Sequence, residues 1–185
     1  IITVLGLGIF AVSYIVHVVT LKDVALNVTC VNAAVSDEVV EEYIQKFAQS
    51  AGIDLKEYEI EMPTNMMIQE GESSSNYNSA EALIAMVVAQ SVDVLVSEQA
   101  SMLERLYQDI LADLSEVLTD EQMDAYRDSF LYLDRKILAE VNEMTNFDNI
   151  PSFPDPTKPE EMEDPVPVAI LIPADTEFAK SFYPD

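Results

Sequence analysis

The chain has few of the residue types that most often carry chemistry or cross-links. Its 185 residues include four glycines, one cysteine, one histidine and no tryptophan. The single cysteine, Cys30, excludes a disulfide within the chain and a cysteine-ligated zinc site, and its apolar neighbours predict a buried core residue. No Gly-rich phosphate loop and no Gly-x-Ser-x-Gly nucleophile elbow occurs. Because the only histidine, His17, lies within an apolar run, no catalytic residue is predicted.

Basic residues are also scarce, with 9 Lys and Arg against 34 Asp and Glu and a net charge of −25. This balance argues against nucleic acid as a partner, because phosphate binding requires clustered Lys and Arg. The acidic residues predict a solvated surface that resists aggregation. A divalent-cation site is the alternative, but the Asp-x-Asp-x-Asp-Gly spacing of an EF-hand is absent. We therefore predict neither a metal site nor a cofactor.

The longest uncharged run is residues 1–21, and the first charged residue is Lys22. About 20 helical residues cross a hydrocarbon core of roughly 30 Å, so this run predicts one transmembrane anchor helix. It is longer than the apolar part of a signal peptide and lacks a small-x-small exit, which favours retention. Few cations follow it. We therefore expect residues 22–185 to be an extracytoplasmic domain at the cell membrane, in contact with the bilayer only through residues 1–21.

The remaining chain alternates between strand and helix patterns. Apolar runs rich in β-branched residues predict strands over residues 24–31, 58–62, 92–96 and 166–172. Amphipathic spacing after capping residues predicts helices that begin after Ser36, Ser79, Ser101, Thr119 and Asp175. Gly52 is placed to end the first of these helices.

Two segments depart from this alternation. Residues 130–133 and 137–141 predict a β-hairpin, although the turn between them lacks glycine. Residues 142–165 are rich in Pro, Asp and Glu and predict a long irregular excursion, while the stretch 69–78 predicts a mobile loop. The fold class is therefore α/β, with a mainly parallel, doubly wound sheet covered by helices on both faces in a single lobe.

Four segments carry a family pattern: 26–33, a strand and its loop; 79–97, a helix followed by a strand containing Asp93; 111–118, with Asp113-Leu114-Ser115; and 167–182, a late strand and helix. Together they resemble the type 2 periplasmic-binding-protein fold, in the form found in membrane-anchored, solute-binding-like proteins of Gram-positive bacteria. Members of that family have two lobes and are longer. The resemblance therefore implies a reduced solute-binding-like domain that lacks most of the second lobe.

Candidate ligand-binding residues follow from the expected sheet. In open α/β sheets, ligands bind beyond the carboxyl ends of the strands, near a switch in strand order. The residues at these positions are Asn32, Ala33, Ser36, Ser97, Glu98, Gln99 and Ala174. The alternative interpretation is that they only cap helices and turn the chain.

The expected function is non-catalytic: a membrane-anchored extracytoplasmic domain that binds a small polar ligand or a peptide. The alternative is a protein-interaction ectodomain that docks a partner in a membrane complex. A third, weaker hypothesis is an enzyme with a carboxylate-bound metal. A concave polar pocket above the strand ends would favour a ligand, and an apolar patch would favour a partner.

Overall fold

The computed structural model describes residues 22–68, 74–103, 105–106, 108–144 and 151–184. The predicted transmembrane helix, residues 1–21, lies outside these ranges. Among the residues described, no helix has the length and apolarity needed to cross a bilayer.

The first half of the chain forms a three-stranded parallel sheet. Its strands are β1 (Asp23–Val31), β2 (Tyr58–Glu61) and β3 (Val94–Ser97), in the order β2-β1-β3. The amino-terminal half of β1 pairs with β2, and its carboxyl-terminal half pairs with β3 from Val28↔Val94 to Val31↔Ser97. The predicted parallel arrangement of these three strands is therefore confirmed.

Helices cover this sheet from both sides. Helix α1 (Asp37–Ala51) begins after Ser36 and ends at Gly52, whose left-handed backbone (φ 71°) suits a residue without a side chain. Helix α2 (Ser74–Val88) leads into β3. Successive residues of a strand point to opposite faces, and Cys30 packs against α1 while Val31 packs against α2. The carboxyl-terminal end of β1, Thr29–Val31, is therefore buried from both sides, while Asp23–Ala25 at its start are exposed.

The amino-terminal boundary of α2 differs from the prediction. We expected residues 69–78 to be a loop and Ser79 to cap the helix, but the helix already includes Ser74–Asn78. Residues 69–73 lie outside the described ranges. Short polar residues are tolerated in the first turn of a helix, where backbone N–H groups have no helical partner. The prediction took these polar residues as a loop and therefore placed the start of the helix too late.

The predicted long helix after Ser101 is also wrong. Helix α3 (Gln99–Leu103) is short, and Asp109 has a left-handed backbone (φ 55°) that is incompatible with a continuous helix. Further on, Asp113 accepts a hydrogen bond from the Ser115 N–H and caps the 3₁₀ turn Leu114–Glu116. By contrast, helix α4 (Asp120–Ala125) begins as predicted, with Thr119 and Gln122 forming a capping box.

The predicted β-hairpin over residues 130–141 is replaced by a strand and a helix, β4 (Phe130–Asp134) and α5 (Arg135–Glu143). Asp134 stops the strand because its side chain caps α5 by accepting the Lys136 N–H. The partner of β4 is β5 (Pro165–Ile170), with which it pairs antiparallel. The expectation that strand 166–172 lies parallel to β1 and β3 is therefore wrong. Within the predicted irregular excursion, residues 142–165, Pro159–Glu161 forms a 3₁₀ turn.

The Asp134 carboxylate joins β4, α5 and the segment that precedes β5. Its Oδ2 accepts the Glu163 N–H at 2.8 Å, and its Oδ1 accepts the Lys136 N–H at 3.0 Å. Asp134 is 3% exposed. Burial alone would raise the pKa of this carboxyl, but the backbone N–H donors outweigh it and lower the pKa.

The last helix returns to the parallel sheet. Helix α6 (Glu177–Phe182) is capped by Thr176, one residue after the predicted cap Asp175. Phe182 is 0% exposed and packs with Cys30, and its carbonyl accepts the Ala34 N–H at 2.8 Å. Residues from near both ends of the described chain therefore build one core.

Two regions can be distinguished by their sheets and buried clusters. The parallel-sheet region consists of the described parts of residues 22–103 and 172–184. The antiparallel region consists of the described parts of residues 105–171, with its own buried cluster of Leu106, Leu133, Val166 and Val168. The chain thus leaves the parallel-sheet region after α3 and re-enters it before α6.

Candidate functional site

The carboxyl ends of β1 and β3 lie side by side, as the pairing Val31↔Ser97 shows. In the order β2-β1-β3, the chain crosses from one side of β1 to the other between β2 and β3. The switch in strand order is therefore between β1 and β3, which is the position where ligands bind in sheets of this kind. Among the predicted residues, Asn32, Ser97, Glu98 and Gln99 come together at this edge, which we call the strand-end site.

Asn32 is held in one position by its own chain. Its Oδ1 accepts the Ile68 N–H at 2.7 Å, while its Nδ2 donates to the Ile68 carbonyl at 2.9 Å and to Ser101 Oγ at 3.0 Å. The backbone φ of 58° lies in the left-handed region, which Asn tolerates better than most residues. Asn32 therefore positions the segment after β2 and the start of α3 around the strand ends.

Tyr183, which the sequence analysis missed, closes the strand-end site from the other side. Its hydroxyl lies 3.1 Å from the Val31 carbonyl and 3.1 Å from the Val96 carbonyl, so one O–H is shared between the ends of β1 and β3. Burial, with smaller contributions from Cys30 and Glu98, raises the pKa of Tyr183 and keeps the hydroxyl protonated as a donor. No local pattern could have indicated a contact between residues 152 positions apart.

The remaining candidates differ in their accessibility. Glu98 and Gln99 are exposed, and the Ser97 hydroxyl donates to the Glu98 carbonyl at 3.1 Å. Ser36 is an exposed residue that makes no side-chain hydrogen bond to its helix. Ala174 is exposed in the segment that precedes α6. Ala33 is 7% exposed and packs in the core with Phe182.

The charges near the strand-end site are negative. Residues 57–104 contain several acidic residues but no Lys, Arg or His, and the exposed Glu98 contributes to the raised pKa of Tyr183. The first cation after Gln99 along the chain, Arg105, is 5% exposed and donates to the Ser101 carbonyl. The site is therefore suited to a ligand that is neutral or carries an amine, and unsuited to an anion.

Two observations concern nucleophilic and metal chemistry in the part of the chain that the structure describes. Burial raises the pKa of Cys30 to about 12, so its thiol stays protonated at neutral pH and is a poor nucleophile. Among the same residues, no three His, Cys, Asp or Glu side chains lie close enough together to hold a metal ion.

Comparison of the chain with models of known protein families, with curated proteins and with solved structures gave no match. The functional assignment therefore depends on the chemistry of the strand ends and of the molecular surface.

Proposed function

We propose that the chain is a non-catalytic, membrane-anchored extracytoplasmic binding domain of solute-binding type, with its ligand site at the carboxyl ends of β1 and β3. Residues 1–21 would serve as the anchor, and the doubly wound parallel sheet would serve as the scaffold of the site. The ligand class is a small polar molecule or a peptide that is neutral or carries an amine. The observation that carries the proposal is the strand switch between β1 and β3, which brings exposed polar residues to one edge.

Two kinds of residue would contribute to ligand binding at this edge. Asn32 and Tyr183 use their polar atoms within the chain, so they would act as positioning residues that fix the two strand ends. Glu98 and Gln99 are exposed and would contact the ligand, the first through an ion pair or hydrogen bond and the second through its amide. This division agrees with other small-molecule sites, where a few polar groups are held on a rigid scaffold.

The test is a thermal-shift screen of the full 185-residue chain with free amino acids, short unblocked peptides and monosaccharides. A ligand present at a hundred times its Kd stabilises the folded chain by about 2.7 kcal/mol, which corresponds to a rise in Tm of roughly 5–10 °C for a chain of this size. We expect at least one amine-bearing compound to produce such a rise.

The double variant Glu98→Gln, Gln99→Ala separates the strand-end site from other surfaces. We expect it to keep the Tm of the free chain and to lose the ligand-dependent rise. Glu143→Gln, an exposed carboxylate of the antiparallel region, is the matched control and should keep the rise. A rise of equal size in the double variant would contradict the proposal.

A further inference from the structure

Helix α2 has an apolar face that the described chain leaves uncovered. Its inward side, with Leu83 and Met86, packs on Val31 of the parallel sheet. On its outward side Ile84 is 61% exposed and Val88 is 78% exposed. Since Ile84 and Val88 are four residues apart, they form one stripe along the helix, which we call the α2 stripe.

The carboxyl-terminal half of α2 has a sequence that is typical of a helix buried on all sides. Residues 82–89 contain only Ala, Leu, Ile, Met and Val. A surface helix of a globular protein normally carries polar residues on its outer face, and a helix that is apolar all round is normally buried. The α2 stripe is therefore an apolar surface that the described residues leave open to a partner.

The charges around the stripe select among the possible partners. Residues 57–104 carry acidic side chains and no basic ones, and Glu81 is exposed one turn before Ile84. A second copy of the chain would bring an equally acidic surface, and each copy carries a net charge of −25. An anionic lipid surface would be repelled for the same reason. A partner surface with Lys or Arg around an apolar centre would be attracted to this acidic chain.

We infer that the α2 stripe is a docking surface for an amphipathic helix of a partner protein, with an apolar face flanked by Lys or Arg. Helix α2 has 15 residues, about 22 Å in length, so it can pair with a helix of four turns. The small side chains of Ala85 and Ala89 beside the stripe allow the two helix axes to approach closely. The apolar face would supply affinity and the basic rim would supply partner choice.

The test uses the full chain in nanodiscs of zwitterionic phosphatidylcholine, with empty nanodiscs as the blank. The probe is a fluorescent 14-residue Leu/Lys amphipathic helix, and the control probe carries Glu in place of every Lys. We expect the Lys peptide to bind the chain, measured by fluorescence anisotropy, and the Glu peptide to bind at least tenfold more weakly.

The variants decide whether binding uses the stripe. The double variant Ile84→Gln, Val88→Gln should bind the Lys peptide at least tenfold more weakly. Val117→Gln, a valine that is 66% exposed in the antiparallel region, should bind as the unmodified chain does. If the glutamine pair misfolds, Ile84→Ala, Val88→Ala replaces it, because alanine favours helix and still removes the apolar surface.

Three results would overturn the inference. Equal peptide affinity in the double variant would mean that binding is electrostatic or lies elsewhere. Equal affinity for the Glu peptide would remove the requirement for a basic rim. Sedimentation that shows self-association of the unmodified chain, lost in the double variant, would assign the stripe to a second copy.

Discussion

The cores of the two regions of the molecule are completed in different ways. In the parallel-sheet region, the core around Cys30 is completed by Phe182, which comes from the far end of the chain. In the antiparallel region, a buried carboxylate, Asp134, accepts backbone hydrogen bonds from nearby segments, while Leu133 packs in an apolar cluster within residues 105–171. The comparison indicates that the candidate site depends on packing between segments far apart in the chain, as in the contact of Tyr183 with Val31, 152 positions away. The antiparallel region is instead closed by contacts within the described parts of one stretch, residues 105–171.

The largest effect should come from removing the aromatic ring that closes the parallel-sheet region. Phe182→Ala should destabilise the chain by about 3–5 kcal/mol, because the ring is fully buried and its loss leaves a cavity. Chemical denaturation followed by circular dichroism measures this. Phe47→Ala, at a ring that is 45% exposed on α1, is the matched control and should cost about 1 kcal/mol or less. Equal losses in both variants would show that the returning helix does not close the core.

A comparable truncation in the other region tests whether the two cores are distinct. Leu133 is 4% exposed within the antiparallel cluster, so Leu133→Ala should cost about 2–4 kcal/mol. Hydrogen exchange should show lost protection in β4 and β5 with little change in β1 and β3. Ile170→Ala, at a side chain of β5 that is 37% exposed, should have a smaller effect. Uniform loss of protection across both sheets would mean that they unfold as one unit.

The pH dependence of the antiparallel region should depend on Asp134. The pKa of its carboxyl is lowered from the ordinary 3.8 in the folded chain, so its stabilising contribution is fully present above pH 3.8. That contribution is lost as the pH falls through the folded pKa. At pH 7, Asp134→Asn should destabilise the chain by about 1–3 kcal/mol, because the amide nitrogen cannot accept the backbone N–H bonds.

The difference in the free energy of unfolding between the unmodified chain and Asp134→Asn should become smaller in acid, as measured by urea denaturation at several pH values. Asp128→Asn, at an exposed carboxylate, is the control and should have nearly the same free energy of unfolding as the unmodified chain at every pH. If the difference in the free energy of unfolding between Asp134→Asn and the unmodified chain stayed constant down to acidic pH, it would contradict the role assigned to this carboxylate.

The smallest effect should come from the hydroxyl that joins the two strand ends. Tyr183→Phe removes one O–H donor shared by the Val31 and Val96 carbonyls, and should cost about 0.5–1.5 kcal/mol in thermal unfolding. Tyr126→Phe, at a ring that is 45% exposed, should change stability by less than about 0.5 kcal/mol. If both substitutions have the same effect, Tyr183 does not hold the strand ends.

The sequence was most informative where pattern and environment agree. The β1 strand, the Ser36 and Gly52 boundaries of α1 and the start of α4 after Thr119 were predicted from local residue patterns, and the structure confirms them. Burial of Cys30 was also predicted correctly, because its neighbours are apolar.

The failures have two physical causes. Asp134 was taken as a turn residue, because its role as a buried cap depends on N–H groups 29 residues away at Glu163. The partner of a strand is likewise a tertiary property, so the apolar run at 166–172 did not reveal that it pairs antiparallel with β4. The candidate residues were chosen because they follow the expected strands, but Tyr183 was not among them, since only the returning helix brings it to the strand ends.

The central claim is that the carboxyl-terminal helix completes the sheet that carries the strand-end site. The most direct measurement is residue-resolved hydrogen exchange of Phe182→Ala against the unmodified chain. The account predicts that β1 and β3 lose protection while β4 and β5 retain theirs. Retained protection in β1 and β3, with loss confined to residues 177–182, would contradict it.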